Sequence, residues 1–312
     1  MTKNNLFPTL IAFFLVSAIA CQSEKYIAPP SFNAERAFSY LVTQVDFGPR
    51  VPGSQASADC RNFFYEQFKQ TQIPVDSQLF TFFDIYSQTN IPMTNVIGSF
   101  VSDPKYPTIV LMAHYDCRPR TDHAINKELQ NQPLDGASDG ASGVAVLLEL
   151  ANLFHEKKPE LNVDIVFVDG EDWGKSGDIQ FYMLGSKEFA RRGIRGKYKF
   201  GIVVDLVGDK DLTIYREIYS ENSSKELNDL IFETAKKLQV TGFIDSLKYA
   251  ISDDHLSLIT SGIPAVDIID FDYKYWHTEF DTPENCSAES LESVGKIIAE
   301  IIYNKTLWQK VK

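Results

Sequence analysis

The chain has 312 residues, 44% of them apolar, and a formal net charge of -12 at pH 7. A chain of this length and composition can bury one large hydrophobic core within a single domain. Its negative charge argues against nucleic acid as a partner, because an acidic surface repels phosphate backbones. We therefore expect a neutral or cationic substrate.

The first twenty residues predict an export signal. Lys3 precedes an apolar run over residues 10–20 that is too short to span a bilayer, and small residues stand directly before Cys21. This pattern resembles a bacterial lipoprotein signal, in which Cys21 is the lipid-bearing first residue of the mature protein. The alternative is an ordinary secretory signal that is cleaved near Ala20.

Both alternatives predict an exported protein. The lipoprotein pattern further predicts a periplasmic or outer-membrane protein that is attached to the membrane through Cys21. We divide the chain into a signal peptide at residues 1–20, a polar tether at 21–32 and a single domain at 33–312. We expect this domain to be a monomer.

Helical and strand patterns alternate through the rest of the chain. Apolar positions at helical spacing predict helices over residues 34–43 and 56–68, with a loop rich in glycine and proline between them. An aromatic-rich run predicts a strand over 78–86, and residues 94–100 continue the sheet.

Four short apolar runs then predict central parallel strands, and amphipathic runs predict the helices that cover them. The predicted strands are residues 108–113, 163–168, 200–206 and 265–269, and the predicted helices are 140–154, 228–238 and 291–303. This alternation predicts an α/β fold, a three-layer α/β/α sandwich around a twisted and mostly parallel central sheet.

Acidic residues and histidines recur at the ends of the apolar runs. They are His114 and Asp116, Asp139, Glu171 and Asp172, Asp205, and His277 with its neighbour Trp276. Because ligands of open α/β sheets collect at the carboxyl ends of the strands, we expect these side chains to converge. Buried like charges destabilise a fold unless a cation offsets them. Carboxylates and imidazoles without thiolates favour zinc as that cation.

Several of these stretches resemble peptidase family M28, with its zinc-exopeptidase-like fold, from about Phe47 to the C-terminus. The matching stretches are residues 136–143, 171–172, 205 and 277–278. Within this family, the chain is most similar to the glutaminyl cyclases, particularly the mammalian-like enzymes of bacteria. The stretches that carry this similarity are residues 47–54, 114–116, 205–208, 252–255 and 276–278.

The resemblance implies a glutaminyl-peptide cyclotransferase, which converts the N-terminal glutamine of peptides or proteins to pyroglutamate and releases ammonia. It implies one zinc per chain, held by Asp139, Asp172 and His277, although the animal enzymes have glutamate in the place of Asp172. Glu171 would act as the catalytic proton shuttle. Residues 33–312 would then form a single catalytic domain.

The alternative on the same scaffold is a zinc aminopeptidase with two metal ions. In that case His114 and Asp205 would hold the second ion, and Glu171 would activate a bridging water. Every residue that this mechanism needs is present. A third hypothesis is a catalytically silent surface lipoprotein that binds peptide termini. It requires the loss of a site residue, and none is lost.

Two residues favour the cyclase over the aminopeptidase. Asp253, if it faces Asp205, would share a proton with it, so that both would relay protons to Glu171 and Asp205 would not hold a second metal. Trp276 precedes the proposed ligand His277 and would wall a small pocket for one glutamine side chain.

Other polar residues are expected to have supporting roles. We expect His255 to support the site without touching substrate, His123 to be solvated, and Asp116 to orient its neighbours without a catalytic role. The sequence predicts no disulfide framework, and it leaves open whether two of the three remaining cysteines pair; these are Cys60, Cys117 and Cys286.

Overall fold

The computed structural model describes residues 26–311. The helices in chain order are α1 (Ala34–Asp46), α2 (Gln55–Gln70), α3 (Gly143–Glu156), α4 (Leu184–Arg191), α5 (Ile218–Ser223), α6 (Lys225–Leu238), α7 (His255–Thr260), α8 (Ala288–Tyr303) and α9 (Lys305–Trp308). The strands are β1 (Val75–Asp84), β2 (Thr89–Phe100), β3 (Thr108–His114), β4 (Asn162–Val168), β5 (Gly201–Asp205), β6 (Ile214–Glu217), β7 (Phe243–Tyr249) and β8 (Ala265–Ile269).

The main sheet has the strand order β1-β2-β4-β3-β5-β8. Strands β4, β3, β5 and β8 run parallel to one another, whereas β1 and β2 form an antiparallel margin. Strands β6 and β7 pair separately in a small parallel sheet. The predicted α/β sandwich with a mostly parallel sheet is confirmed.

Helices cover both faces of this sheet, and each face has its own core. The larger core lies under α1, α2, α3, α6 and α8, and the smaller one lies under α4 and α7. Every residue of β4 and all but the first of β3 are buried. This two-sided burial explains why the central strands read as continuous apolar runs in the sequence and do not alternate.

Some predicted boundaries differ from the structure. The crossover helix was expected to begin at residue 140, but α3 begins at Gly143, because residues 137–142 form a wide turn. Helices α4, α5, α7 and α9 and strands β6 and β7 were not predicted. All of them except α4 have seven residues or fewer, so a periodic pattern has little length in which to develop.

The four parallel strands deliver polar residues to one edge of the sheet. His114 is the last residue of β3, Asp205 is the last residue of β5, and β4 and β8 lead directly into polar loops. This common edge results from the parallel arrangement, since the carboxyl ends of parallel strands lie side by side.

The described part of the predicted tether packs on the domain. Phe32 is buried, and the hydroxyl of Tyr26 donates a hydrogen bond to Glu300 over 2.6 Å. The predicted signal peptide and the lipid-bearing Cys21 lie outside the described residues. Among the helices of residues 26–311, none is both long enough and apolar enough to cross a membrane.

The cysteines of the domain carry free thiols. Cys60, Cys117 and Cys286 are all buried and unbridged. This answers the question of pairing that the sequence left open.

Candidate metal centre and active site

Three side chains from separate loops meet at the carboxyl edge of the sheet. His277 Nε2 lies 3.4 Å from Asp172 Oδ2 and 3.6 Å from Asp139 Oδ2, and all three residues are buried. Each residue offers one ligand atom, and these atoms lie within 4.8 Å of one another. The structure thus brings together the three side chains that the sequence analysis assigned to a metal.

Asp139 is positioned by a carboxylate that the sequence analysis missed. It lies in the wide turn before α3, where Asp281 accepts hydrogen bonds from Ser138 N at 2.7 Å and from Asp139 N at 3.1 Å. Arg50, fully buried, donates to the carbonyl oxygens of Gly136 and Tyr115 and further fixes this loop. Two buried charged groups therefore set the backbone around Asp139.

Asp172 and Glu171 are positioned in a similar way by Asp116. The Asp116 carboxylate accepts hydrogen bonds from Glu171 N at 3.1 Å and from Asp172 N at 3.2 Å. Burial alone would raise the pKa of Asp172, but the positive charges of His277 and Arg118 outweigh burial and hold this pKa below its ordinary value. The carboxylate form, which binds metals, is therefore favoured.

His277 lies in a tight turn with left-handed backbone geometry. Its φ angle is 58°, and Thr278 N donates a hydrogen bond to Tyr275 O across the turn. Non-glycine residues adopt this region rarely, and such residues are concentrated at functional sites. The indole of Trp276 stacks on the imidazole, with 3.9 Å between ring centroids. This contact fixes the ring plane of His277.

A second cluster lies beside the first and shares Asp139. His114 Nε2 is 3.1 Å from Asp139 Oδ1 and 3.1 Å from Asp205 Oδ1. Gly140 permits this approach, because a Cβ atom at that position would overlap the His114 imidazole. This cluster contains the residues of the two-metal alternative, so the geometry accommodates either reading of the sequence.

His114 and Asp205 of the second cluster strongly affect each other's pKa. Burial lowers the pKa of His114, yet the charge of Asp205 and hydrogen bonds to the surrounding carboxylates raise it well above its ordinary value. Burial raises the pKa of Asp205 to about 7, although His114 opposes this shift. In the metal-free chain, His114 is thus the cation that its carboxylate neighbours require.

Glu171 lies next to the metal set without belonging to it. It is buried, and it lines the same cavity as Asp139 and Asp172. Burial raises the pKa of Glu171 well above its ordinary value, and the negative charges of Asp172 and Asp253 raise it further. A buried carboxyl group with a raised pKa is a candidate for proton transfer to and from a bound substrate.

Asp253 belongs to a third buried cluster, behind Glu171. Burial and the negative charges of Asp253 and Asp205 raise the pKa of Asp267 well above its ordinary value. Asp253 and Asp205 influence one another through charge. Asp253, His255 and Asp267 offer atoms within 4.8 Å of one another, and the proton that Asp253 was expected to share with Asp205 stays a prediction.

His255 lies deeper in this third cluster. Its ring is between two acids, 3.3 Å from Glu217 Oε2 and 3.5 Å from Asp267 Oδ2. His255 is not among the residues that line the cavity, whereas Asp253 is, and the supporting role of His255 stays a prediction.

The three clusters open on one cavity of about 310 Å³. The predicted site residues that line it are Asp139, Glu171, Asp172, Asp205, Asp253, Trp276 and His277. Ile179, Tyr249 and Phe271 contribute apolar surface. A mostly apolar wall with a few convergent polar groups is typical of a small-molecule site.

His123 lies nearer to the site than the sequence indicated. It is exposed, as predicted, but its ring centroid is 5.0 Å from that of Trp276, and its backbone N donates to His277 O over 3.0 Å. It is separated from His277 by about 150 residues, so local sequence patterns carry no signal for this contact.

The sequence profile of Peptidase family M28 matches residues 95–302. The chain belongs to this family. The match spans the central strands and includes Asp139, Asp172 and His277, so it covers every residue of the candidate metal centre.

Solved structures and a curated relative refine this placement within family M28. The chain is 34% identical to a glutaminyl cyclase of Bacteroides thetaiotaomicron, over 89% of this chain and 99% of that one, with a TM-score of 0.84. It is 35% identical to a Zn-dependent exopeptidase from Parabacteroides distasonis, over 89% and 100% of the two chains, with a TM-score of 0.84. The bovine glutaminyl-peptide cyclotransferase is 23% identical over 80% of this chain and 76% of its own length.

The donor atoms of this M28 site suit zinc. Two carboxylates and one imidazole, with no thiolate among them, form a typical catalytic zinc set that leaves a fourth position open. Asp172 Oδ2 is buried and has no hydrogen-bond partner, although it faces His277. A buried, unpaired carboxylate oxygen is costly, and a cation at this point removes that cost.

Zinc should stabilise the protein more strongly as the pH rises. Asp205 and Asp281 have pKa values raised to about 7 in the metal-free fold, so this fold binds protons that the unfolded chain releases near pH 4. Stability of the metal-free form therefore falls as the pH rises from about 4 to about 7. Protons also compete less with zinc at the higher pH.

Thermal melts with and without added zinc measure this effect. We expect zinc to raise Tm, with a larger increase near pH 7.5 than near pH 5.5, and stabilisation of about 2.7 kcal/mol when free zinc is 100 times its dissociation constant. A Tm that does not respond to zinc, or responds more at the lower pH, would contradict this assignment.

Proposed function

We propose that this chain is a zinc-dependent glutaminyl-peptide cyclotransferase, which converts N-terminal glutamine to pyroglutamate with release of ammonia. The observation that carries the proposal is that one small cavity is lined by the three candidate metal ligands, by Glu171 as the candidate for proton transfer, and by the indole of Trp276. The similarity to bacterial glutaminyl cyclases supports the same reaction. The substrates would be peptides or proteins that begin with glutamine.

The substrate brings its own nucleophile to this reaction. The α-amine of an N-terminal glutamine attacks its own γ-carboxamide carbon, so the enzyme has to orient one molecule and move protons. When bound to Asp139, Asp172 and His277, zinc would supply a Lewis acid that polarises the carboxamide. The remaining steps depend on groups of the chain itself.

Glu171 would transfer the proton between the two nitrogen atoms. Its carboxylate accepts a proton from the α-nitrogen as the new carbon–nitrogen bond forms, and the resulting carboxylic acid donates a proton to the amide nitrogen that leaves as ammonia. Asp116 fixes the backbone N of Glu171, and burial raises the pKa of Glu171 well above its ordinary value, so Glu171 holds a proton more readily than an exposed glutamate. Asp205 and Asp253 would tune this exchange through their negative charges.

Trp276 would hold the glutamine side chain folded for ring closure. Its indole lines the cavity and packs against both His277 and Phe271. A flat aromatic wall beside the metal limits the conformations of the bound side chain and the space for water, so cyclisation would be favoured over hydrolysis.

We propose one zinc per chain. His114 lies between Asp139 and Asp205, with Nε2 hydrogen-bonded to Asp205 Oδ1 and 3.1 Å from Asp139 Oδ1, and its raised pKa favours the imidazolium form. A positive charge at this point repels a second metal ion. Asp205 would then serve as the partner of His114.

A two-metal aminopeptidase is the second candidate function. His114, Asp139 and Asp205 also offer ligand atoms within 4.8 Å of one another, and a neutral His114 could bind metal. The likeness to a Zn-dependent exopeptidase supports this candidate as well. Asp253 and Trp276 are the residues that argue for cyclisation.

We also propose that the protein is exported, either to the periplasm or as an outer-membrane lipoprotein, and acts there as a monomer. The support for export and for attachment through Cys21 is the apolar segment before that cysteine. Labelling of growing cells with a tagged fatty acid tests the anchor: a Cys21→Ser variant should lose the label.

A paired substrate assay distinguishes the two candidate functions. The purified protein with zinc should release ammonia from a peptide that begins with glutamine, and it should release no amino acid from a peptide that begins with leucine. Free leucine at a rate comparable with ammonia release would favour the aminopeptidase and contradict the proposal.

Substitution of Glu171 tests its role in proton transfer. Glu171→Gln keeps the size of the side chain but cannot carry the proton, so we expect kcat to fall by about 10² to 10⁴ while zinc binding is retained. Exposed Glu226, at the start of α6, provides the control. Glu226→Gln should have the kcat of the unaltered protein, and a Glu171→Gln variant with near-full kcat would refute the assigned role.

A further inference from the structure

Arg118 lies directly behind the candidate metal centre. Its side chain is fully buried, four residues beyond the end of β3. Arg118 Nη1 donates a hydrogen bond to Asp172 Oδ1 over 2.6 Å and a longer one, of 3.2 Å, to the Asp172 carbonyl oxygen. A buried guanidinium thus binds both the side chain and the backbone of a predicted metal ligand.

The other side of the guanidinium is anchored as well. Nε donates to Asp122 Oδ2 over 3.1 Å, and Nη2 also donates to this oxygen. The guanidinium packs 5.3 Å from the ring centroid of Tyr182, which lines the cavity. With contacts on both edges and one face, the guanidinium has little freedom to move.

This contact gives the two carboxylate oxygens of Asp172 different environments. Asp172 Oδ1 accepts a hydrogen bond from Arg118, whereas Oδ2 has no hydrogen-bond partner and lies 3.4 Å from His277 Nε2. A free carboxylate could rotate and present either oxygen, or both, to a metal ion. Here only Oδ2 faces the point where the three ligand atoms meet.

We propose that Arg118 is a positioning residue of the zinc site, which holds Asp172 so that Oδ2 alone is presented to the metal. The inference rests on the proposed zinc site, but it does not depend on the reaction that the site performs. Groups that hydrogen-bond to ligand side chains commonly change metal affinity by about 10- to 100-fold when they are removed.

The charge of Arg118 acts in the opposite direction, so the two effects have to be weighed. A lone cation near the site would repel zinc and reduce affinity. This guanidinium, however, is paired with two carboxylates, Asp122 and Asp172, which largely cancel its field beyond them. We therefore expect the orienting effect to dominate.

Lysine should replace arginine only in part. The guanidinium is a planar fork, so separate nitrogens bond Asp172 and Asp122 in fixed directions. A lysine ammonium keeps the charge but is a single point on a flexible stem. A comparison of the two side chains thus separates orientation from charge.

The dissociation constant of zinc, measured by competition with a chromophoric chelator, tests the proposal without reference to activity. We expect Arg118→Met to raise this constant by about 10- to 100-fold, and Arg118→Lys to give an intermediate value. The matched control is Arg120→Met, because Arg120 donates hydrogen bonds to the carbonyl oxygens of Trp173 and Gly174 in the same loop and lies over the Tyr86 ring, whereas these hydrogen bonds do not include Asp172. This control should bind zinc like the unaltered protein.

Unaltered or tighter zinc binding by Arg118→Met would overturn the proposal, since Arg118 would then merely balance charge. If the buried substitution prevents folding, Asp122→Asn provides the decisive variant. It leaves Arg118 in place but weakens its anchor, so zinc should bind more weakly, and unchanged affinity would again overturn the proposal. A chain that binds no zinc at all would instead contradict the proposed function.

Discussion

The site depends on two buried carboxylates that each accept hydrogen bonds from two consecutive backbone N–H groups. Asp281 binds the amides of Ser138 and Asp139, and Asp116 binds those of Glu171 and Asp172. A carboxylate that accepts two amides fixes the direction of the intervening peptide, and so it determines where the next side chain points. The loops that carry two of the three metal ligands are thereby set by the fold before any metal binds.

This arrangement places many acidic side chains close together in a buried region. Glu171, Asp205 and Asp267 all have raised pKa values, for which burial is the largest cause. Under the proposed function, a zinc ion between Asp139, Asp172 and His277 would offset part of this charge, and a protonated His114 would offset another part. The protonation of His114 would then distinguish a one-metal cyclase from a two-metal aminopeptidase, because both would use the same ligand loops.

The sequence predicted the central strands because each is a short, continuous apolar run, and it predicted that the polar residues at the ends of these strands would converge. Strands β3, β4, β5 and β8 are buried on both faces, which produces a strong local signal. The buried charged residues that position these side chains could not be predicted in the same way. Asp281 and Arg118 act on residues that are distant in the sequence, and a charged residue in a loop reads as solvated unless its partner is known. The family resemblance supplied ligand identities, but it carried no information about these supporting contacts.

In the proposed site, a single zinc ion lies between two aspartates and one histidine. Anomalous diffraction at the zinc absorption edge, from crystals of the zinc-loaded protein, locates each bound ion. We expect one strong peak, about 2.0 to 2.2 Å from oxygen atoms of Asp139 and Asp172 and from His277 Nε2. A second peak of similar height between His114 and Asp205, or no peak beside His277, would contradict it.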